Sequence, residues 1–227
     1  MANDRSIAWG VATMLHRAGA QLSFSYQNDT YGGRVEPLAR QLTAEPLLVS
    51  CAVERPGEIE KAMAFAHDKM GGLDFVVHSL AFSDKAELDG RFINTSRDNF
   101  LKSMDISCYS FINTARAAMA HMPTGGSLLT LSYEGATRVM KNYNVMGVCK
   151  AALEATVRYL ADDLGAGGIR VNALAAGPMR TLAGSAVASG RATFNWQGEN
   201  NPLRRNMNLN DIGGSALYLL SDMSHGV

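Results

Sequence analysis

Apolar residues recur along the chain in two alternating rhythms. In SIAWGVATMLHRAG (6–19) they fall at helical spacing and stop at a glycine, which predicts a helix, and AQLSFSY (20–26) follows as a short strand. GRVEPLARQL (33–42), with Pro37 in its first turns, predicts a second helix, and LLVSC (47–51) a second strand. PGEIEKAMAFAHDKMGG (56–72) opens on a proline and early acids and closes on glycines, the signature of a helix with both ends marked. LDFVVHSL (73–80) reads as a buried strand. SRDNFLKSMDISCYSFINTARAAMAHM (96–122) predicts one long helix with Ser96 as its N-cap. SLLTLS (127–132) is a strand, a helix runs from near Asn142 to about Gly165, and IRVNALA (169–175) is a further strand.

Strands that lack polar alternation and are joined by helices predict a parallel sheet covered on both faces, an α/β doubly wound arrangement. No Pro-, Ser- or charge-rich linker divides the 227 residues, so a single domain is expected. The stretch from Gly177 to Arg205 reads as a long loop. Loops longer than about 15 residues in compact domains are commonly lids, and Phe194 and Trp196 suit this one to covering a substrate.

Charge and cysteine content narrow the classes of function. Lys plus Arg and Asp plus Glu are 21 each, and no basic stripe interleaved with aromatics is present, which argues against a nucleic-acid partner. The cysteines Cys51, Cys108 and Cys149 are odd in number, sit in apolar contexts and have no CxxC spacing, as expected of reduced core thiols. No apolar run of 18 residues or signal peptide is seen, so no membrane insertion and a cytoplasmic location are expected. His78 lies inside an apolar strand and is expected to be a satisfied core imidazole; no metal site is expected.

The stretch YEGATRVMKNYNVMGVCK (133–150) concentrates the candidate chemistry. It begins where a strand runs out, and the carboxyl edge of an open α/β sheet is where such folds place their ligands. Tyr143 and Lys150 are seven residues apart, which on a helix is about two turns, placing both on one face roughly 10 Å apart at the backbone. On spacing alone a tyrosine near a lysine on a helix is far more often surface decoration than a site, and Tyr133 could simply pack with a solvated hydroxyl.

SIAWG, SYQND, HSLAF, NYNVMGVCK, RVNALAAGPMRTLA and PLRR, taken in order, resemble the bacterial enoyl-acyl-carrier-protein reductases, a divergent branch of the short-chain dehydrogenases/reductases. The resemblance spans essentially the whole chain. Its most specific element is a tyrosine and a lysine separated by six residues, with a second tyrosine ten residues upstream. The resemblance implies NADH-dependent reduction of a trans-2-enoyl thioester on acyl carrier protein, within fatty acid biosynthesis, by a homotetramer with a Rossmann-like fold. Tyr143 would donate to the thioester oxygen, Lys150 would hold the nicotinamide ribose, and Tyr133 would line the acyl pocket and assist.

The resemblance also assigns cofactor contacts to Ser6, Ile7, Gln27, Ala52, Val53, Leu80, Met179, Thr181 and Ala183, and substrate contacts to Phe82 and Ser83. Backbone amides opening the first helix at Ser6 and Ile7 suit a pyrophosphate, although an ordinary Ser cap looks the same. Gln27 ends a strand where dinucleotide folds discriminate at the adenosine ribose, and a neutral amide there favours NADH over NADPH.

Several positions depart from the family pattern. Ala52 stands where the family places an aspartate beside the adenine, a loss of about 0.5 to 1.5 kcal/mol of hydrogen bonding to the cofactor. Glu134 and Lys141 replace residues that are usually apolar and proline; they could pair with each other or alter the turn. The family's first strand and leading glycine, and its last strand, are not found between Met1 and Val227. The expected sheet, ordered 3-2-1-4-5-6-7 in the family, therefore lacks its first and last strands, and two rows of backbone groups lose partners worth about 1 to 3 kcal/mol each. Two other readings compete with the reductase: a short-chain alcohol or ketone dehydrogenase on the same fold, and a truncated non-catalytic relative.

Overall fold

The computed structural model describes residue 1, residues 3–185 and residues 190–227. Five strands lie in two parallel sheets. In the first, β1 (Ser23–Tyr26) pairs with β2 (Leu47–Ser50), with Ser23 opposite Leu47 and Tyr26 opposite Ser50. In the second, β4 (Gly126–Ser132) is central, flanked by β3 (Phe75–His78) and β5 (Ile169–Ala175), with His78 opposite Thr130 and Ser132 opposite Ala175. Among the described residues no ladder joins β1 to β3.

The helices cover these sheets. α1 (Ile7–Arg17) starts at Ser6, whose hydroxyl accepts from Trp9 N. It packs on α10 (Leu209–Leu220) so closely that a Cβ on Gly10 would lie 2.8 Å from the Leu209 Cβ, and one on Gly213 2.8 Å from the Gly10 carbonyl. Only glycine permits that approach of two backbones. Val11, Leu15, Leu129, Ile212 and Ala216 form the core beneath them, and partly buried Leu22, Phe75 and Val77 pack against it. A second core lies on the other face, where Phe111, Ala115, Leu128, Leu153 and Val171 meet.

Several elements differ in extent from the sequence prediction. The second helix, α2, spans Asp29–Ala39 and not 33–42, because the Asn28 side chain caps it by accepting from Tyr31 N. The first and third strands are shorter than 20–26 and 73–80. α3 (Glu58–Met70) fits its marked ends, with Gly57 and Gly71 both left-handed. The long helix predicted over 96–122 is interrupted: α5 (Arg97–Met104), capped by Ser96 as expected, passes through a π-helical turn (Asp105–Tyr109) into α6 (Ser110–Met119). α7 (Val145–Gly165) begins after Tyr143, because Asn142 and Asn144 have φ of 61° and 38°. Left-handed residues cannot propagate a right-handed helix. The stretch 177–205 carries two helices, α8 (Leu182–Ser185) and α9 (Gly190–Asn200), where a loop was expected.

Candidate active site

The expected site residues follow the carboxyl ends of the strands. Gln27 comes directly after β1, Ala52 and Val53 two and three residues after β2, Leu80, Phe82 and Ser83 just after β3, Tyr133 directly after β4, and Met179 and Thr181 after β5. Ser6 and Ile7 open α1. Ala183 belongs to α8, but its side chain lies outside the described residues. Ala52 is buried, and Val53 packs beside Val49 and Cys51.

Tyr143 and Lys150 do not share a helix face as the spacing predicted. Tyr143 sits in the turn before α7 and not on its face; two left-handed asparagines reverse the chain around it. Asn144 is held there by its amide donating to the Glu87 carbonyl at 3.0 Å. Tyr143 packs against the buried cluster of Leu88, Val145, Met146 and Cys149. Tyr133 meets it edge-on, the arrangement aromatic quadrupoles favour. Gly135 makes the contact possible, since a Cβ there would lie 2.5 Å from the Tyr143 ring. Burial, with smaller pushes from Tyr133 and Cys149, holds the Tyr143 phenol well above its usual value. Burial and Glu134 raise Tyr133 as well. No described residue hydrogen-bonds either hydroxyl.

Lys150 lies in the second turn of α7 and is 6% exposed. Its ammonium donates to the Leu131 carbonyl at 2.6 Å, the one acceptor it has among the described residues. Burial lowers its pKa to about 8, while Cys149, Cys108 and Glu154 act in the opposite direction. An ammonium carries three donors, so two point to a ligand or to water.

The wall formed by Phe82 and Ser83 is built by residues that composition and spacing did not single out. Ser107, in the π-helical turn, accepts from Phe82 N at 2.9 Å and donates to the Phe82 carbonyl at 3.1 Å. Asn99 accepts from Asp84 N at 2.8 Å and meets the Ser83 hydroxyl. Lys102 stands over the Phe82 ring at 4.7 Å. A π turn leaves no mark in hydrophobic periodicity, so Ser107 was not readable in advance. Glu154 was: it lies four residues after Lys150, on the same helix face.

Glu134 pairs with Arg138 at 3.0 Å, a partner that the sequence reading did not consider. His78 is 3% exposed and bonded at both nitrogens, to Thr130 at 3.0 Å and Ser110 at 2.8 Å. Cys51, Cys108 and Cys149 are free and buried.

Parallel strands whose carboxyl ends converge on a tyrosine and a buried lysine define a nucleotide-dependent oxidoreductase of the short-chain dehydrogenase/reductase type. A family model described as enoyl-(acyl carrier protein) reductase matches residues 1–227, and the chain belongs to that family. Enoyl-[acyl-carrier-protein] reductase [NADH] 2 of Rhizobium meliloti is 53% identical over all of this chain and 84% of its own length. FabI of Candidatus Liberibacter asiaticus has a crystal structure that matches with a TM-score of 0.96 at 51% identity, covering 100% of this chain and 88% of that one. The Anaplasma phagocytophilum reductase, solved in complex with NAD, matches at 0.95 with 52% identity over 100% of this chain and 86% of its own.

Proposed function

We propose that the chain reduces the trans-2-enoyl thioester of an acyl carrier protein with NADH, a step of fatty acid biosynthesis. One observation carries this reading: a buried lysine with two donors to spare, on the helix that follows a partly buried tyrosine, reaches the carboxyl end of the central strand β4.

The donor set fits NADH. Lys150 faces the site with hydrogen-bonding capacity that a ribose diol would fill. The α1 N-terminus, with Ser6 and Ile7, suits the pyrophosphate. Gln27, Ala52, Val53 and Leu80 would border the adenosine, and Met179, Thr181 and Ala183 the remainder. Gln27 donates to Glu54 at 3.0 Å; with Gln27 at the adenosine ribose, that carboxylate would repel the extra phosphate of NADPH. When bound, NADH supplies the hydride that adds to the β-carbon of the substrate.

The chain's own residues then govern the charge that develops on the thioester oxygen. The Tyr143 phenol, held well above its usual pKa, stays protonated and acts as a hydrogen-bond donor to that oxygen. Lys150 orients the ribose hydroxyls and lends positive potential to the same region. Phe82, Ser83 and Tyr133 line the acyl pocket, and residues 177–205 act as its lid. Thr181 accepts from Gly184 N at 2.9 Å, a local bond at the start of that segment.

The active form on this reading is a cytoplasmic homotetramer. Tyr109, Met119, Val148 and Tyr159 leave apolar surface on the π turn, α6 and α7, the helices that would pair. No described helix is long and apolar enough to cross a membrane.

The test is NADH oxidation by purified protein. Consumption that begins only when a crotonyl or longer 2-enoyl thioester is added supports the reading. Turnover of alcohols or ketones instead, or no turnover despite NADH binding, overturns it.

A further inference from the structure

The end of β4 is gripped twice by α7. Lys150 donates to the carbonyl of Leu131, and one residue on, the Ser132 hydroxyl donates to Glu154 Oε1 at 2.5 Å. Lys150 and Glu154 are one helical turn apart, so a single face of α7 holds two successive residues of the strand. The residue after Ser132 is Tyr133, whose ring stands against Tyr143. Ser132 is 5% exposed, which shelters its short bond to a carboxylate from competing water. No expected contact with cofactor or substrate falls on either Ser132 or Glu154.

We propose that the Ser132–Glu154 pair is a positioning element of the reaction, fixing Tyr133 through the strand end and keeping Lys150 charged through the Glu154 carboxylate. This rests on the role given to Lys150 above. The titratable groups that face Lys150 are Cys149 and Glu154 on α7, Cys108 on the π-helical turn and His78 on β3. Burial pushes the Cys149 thiol up to about 12 and the His78 imidazole down to about 3, so both are uncharged near neutrality. Glu154 is the carboxylate among the four. Burial disfavours the ammonium, and this carboxylate opposes that effect.

Glu154→Gln separates the two roles, since its amide oxygen still accepts from Ser132 while the charge is gone. The readout is the pH dependence of NADH affinity, followed by cofactor fluorescence, beside kcat/KM for NADH, which reports the free enzyme. In Glu154→Gln the alkaline limb moves to lower pH by roughly half a unit or more, with affinity at pH 6.5 within about twofold of wild type. In Ser132→Ala the limb stays within about 0.2 units and kcat falls about threefold to tenfold, and Ser132→Thr restores it. A limb unmoved in Glu154→Gln, or full kcat in Ser132→Ala, overturns the proposal. Lys150→Met is the control: if the limb persists in that variant, the role of Lys150 fails and this proposal fails with it. If NADH binds with a limb that Lys150→Met removes, yet no enoyl thioester is reduced, it is the substrate reading that fails, and the Glu154 shift still decides the matter.

Discussion

The ring of Tyr133 meets the ring of Tyr143 edge-on, with centroids 5.0 Å apart and planes inclined at 67°. The rings therefore fix each other. Tyr143→Phe keeps this packing and removes only the donor, so kcat should fall by about 10²-fold with NADH affinity nearly unchanged. Tyr133→Phe should cost less than about tenfold. Steady-state kinetics with a 2-enoyl thioester checks both.

Gly135→Ala acts on the same pair from outside. The added methyl meets the Tyr143 ring at 2.5 Å and 2.8 Å, and the Gly135 carbonyl is already close to where a Gly147 Cβ would stand. The ring must shift, so activity should fall about as far as in Tyr143→Phe. Overpacking of this kind also costs about 1 to 3 kcal/mol, measurable by urea unfolding.

Lys150 links activity and stability in opposite senses. With a pKa near 8 in the folded chain against 10.5 ordinarily, its buried charge lowers stability fully below pH 8, and the penalty is relieved as pH rises from 8 towards 10.5. Lys150→Met should thus raise stability at pH 7 by about 1 to 3 kcal/mol and abolish tight NADH binding. The gain over wild type should shrink above pH 8 in urea titrations.

His78 gives the opposite limb. Its folded pKa of about 3 lies below the ordinary 6.5, because burial and, secondarily, Lys150 disfavour the charged ring. Between those values the unfolded chain binds the extra proton, so stability falls as pH drops, by up to about 1.4 kcal/mol per unit. His78→Gln keeps polar partners for Thr130 and Ser110 but cannot titrate. It should be about 1 to 2 kcal/mol less stable at pH 7.5 and show a shallower loss of stability towards pH 4.

Glu54 should set the cofactor preference. Its carboxylate accepts from Gln27 at the end of β1, and removing that charge lessens repulsion of a ribose phosphate. Glu54→Gln should narrow the NADH over NADPH ratio of kcat/KM by about fivefold to tenfold while leaving kcat with NADH within twofold.

Most of the fold was legible because buried strands announce themselves. LLVSC, LDFVVHSL, SLLTLS and IRVNALA are short and largely apolar, and each overlaps an observed strand. What periodicity missed was set by local backbone states. Nothing in apolar spacing distinguishes the π turn at 105–109 from the helix around it. The seven-residue gap from Tyr143 to Lys150 looked like two helical turns, yet Asn142 and Asn144 break it, and NYN carries that information only through the tolerance of asparagine for positive φ. The site itself was read from motif residues and strand ends, whereas Ser107 and Asn99 were invisible because their partners are far along the chain.

The two sheets give the cofactor a mechanical meaning. β1–β2 carries Gln27, Ala52 and Val53, while β3–β5 leads into Lys150 and Thr181. A dinucleotide held by residues of both sheets would stabilise each of them by mass action. Hydrogen exchange of residues 23–50 should then slow on adding NADH.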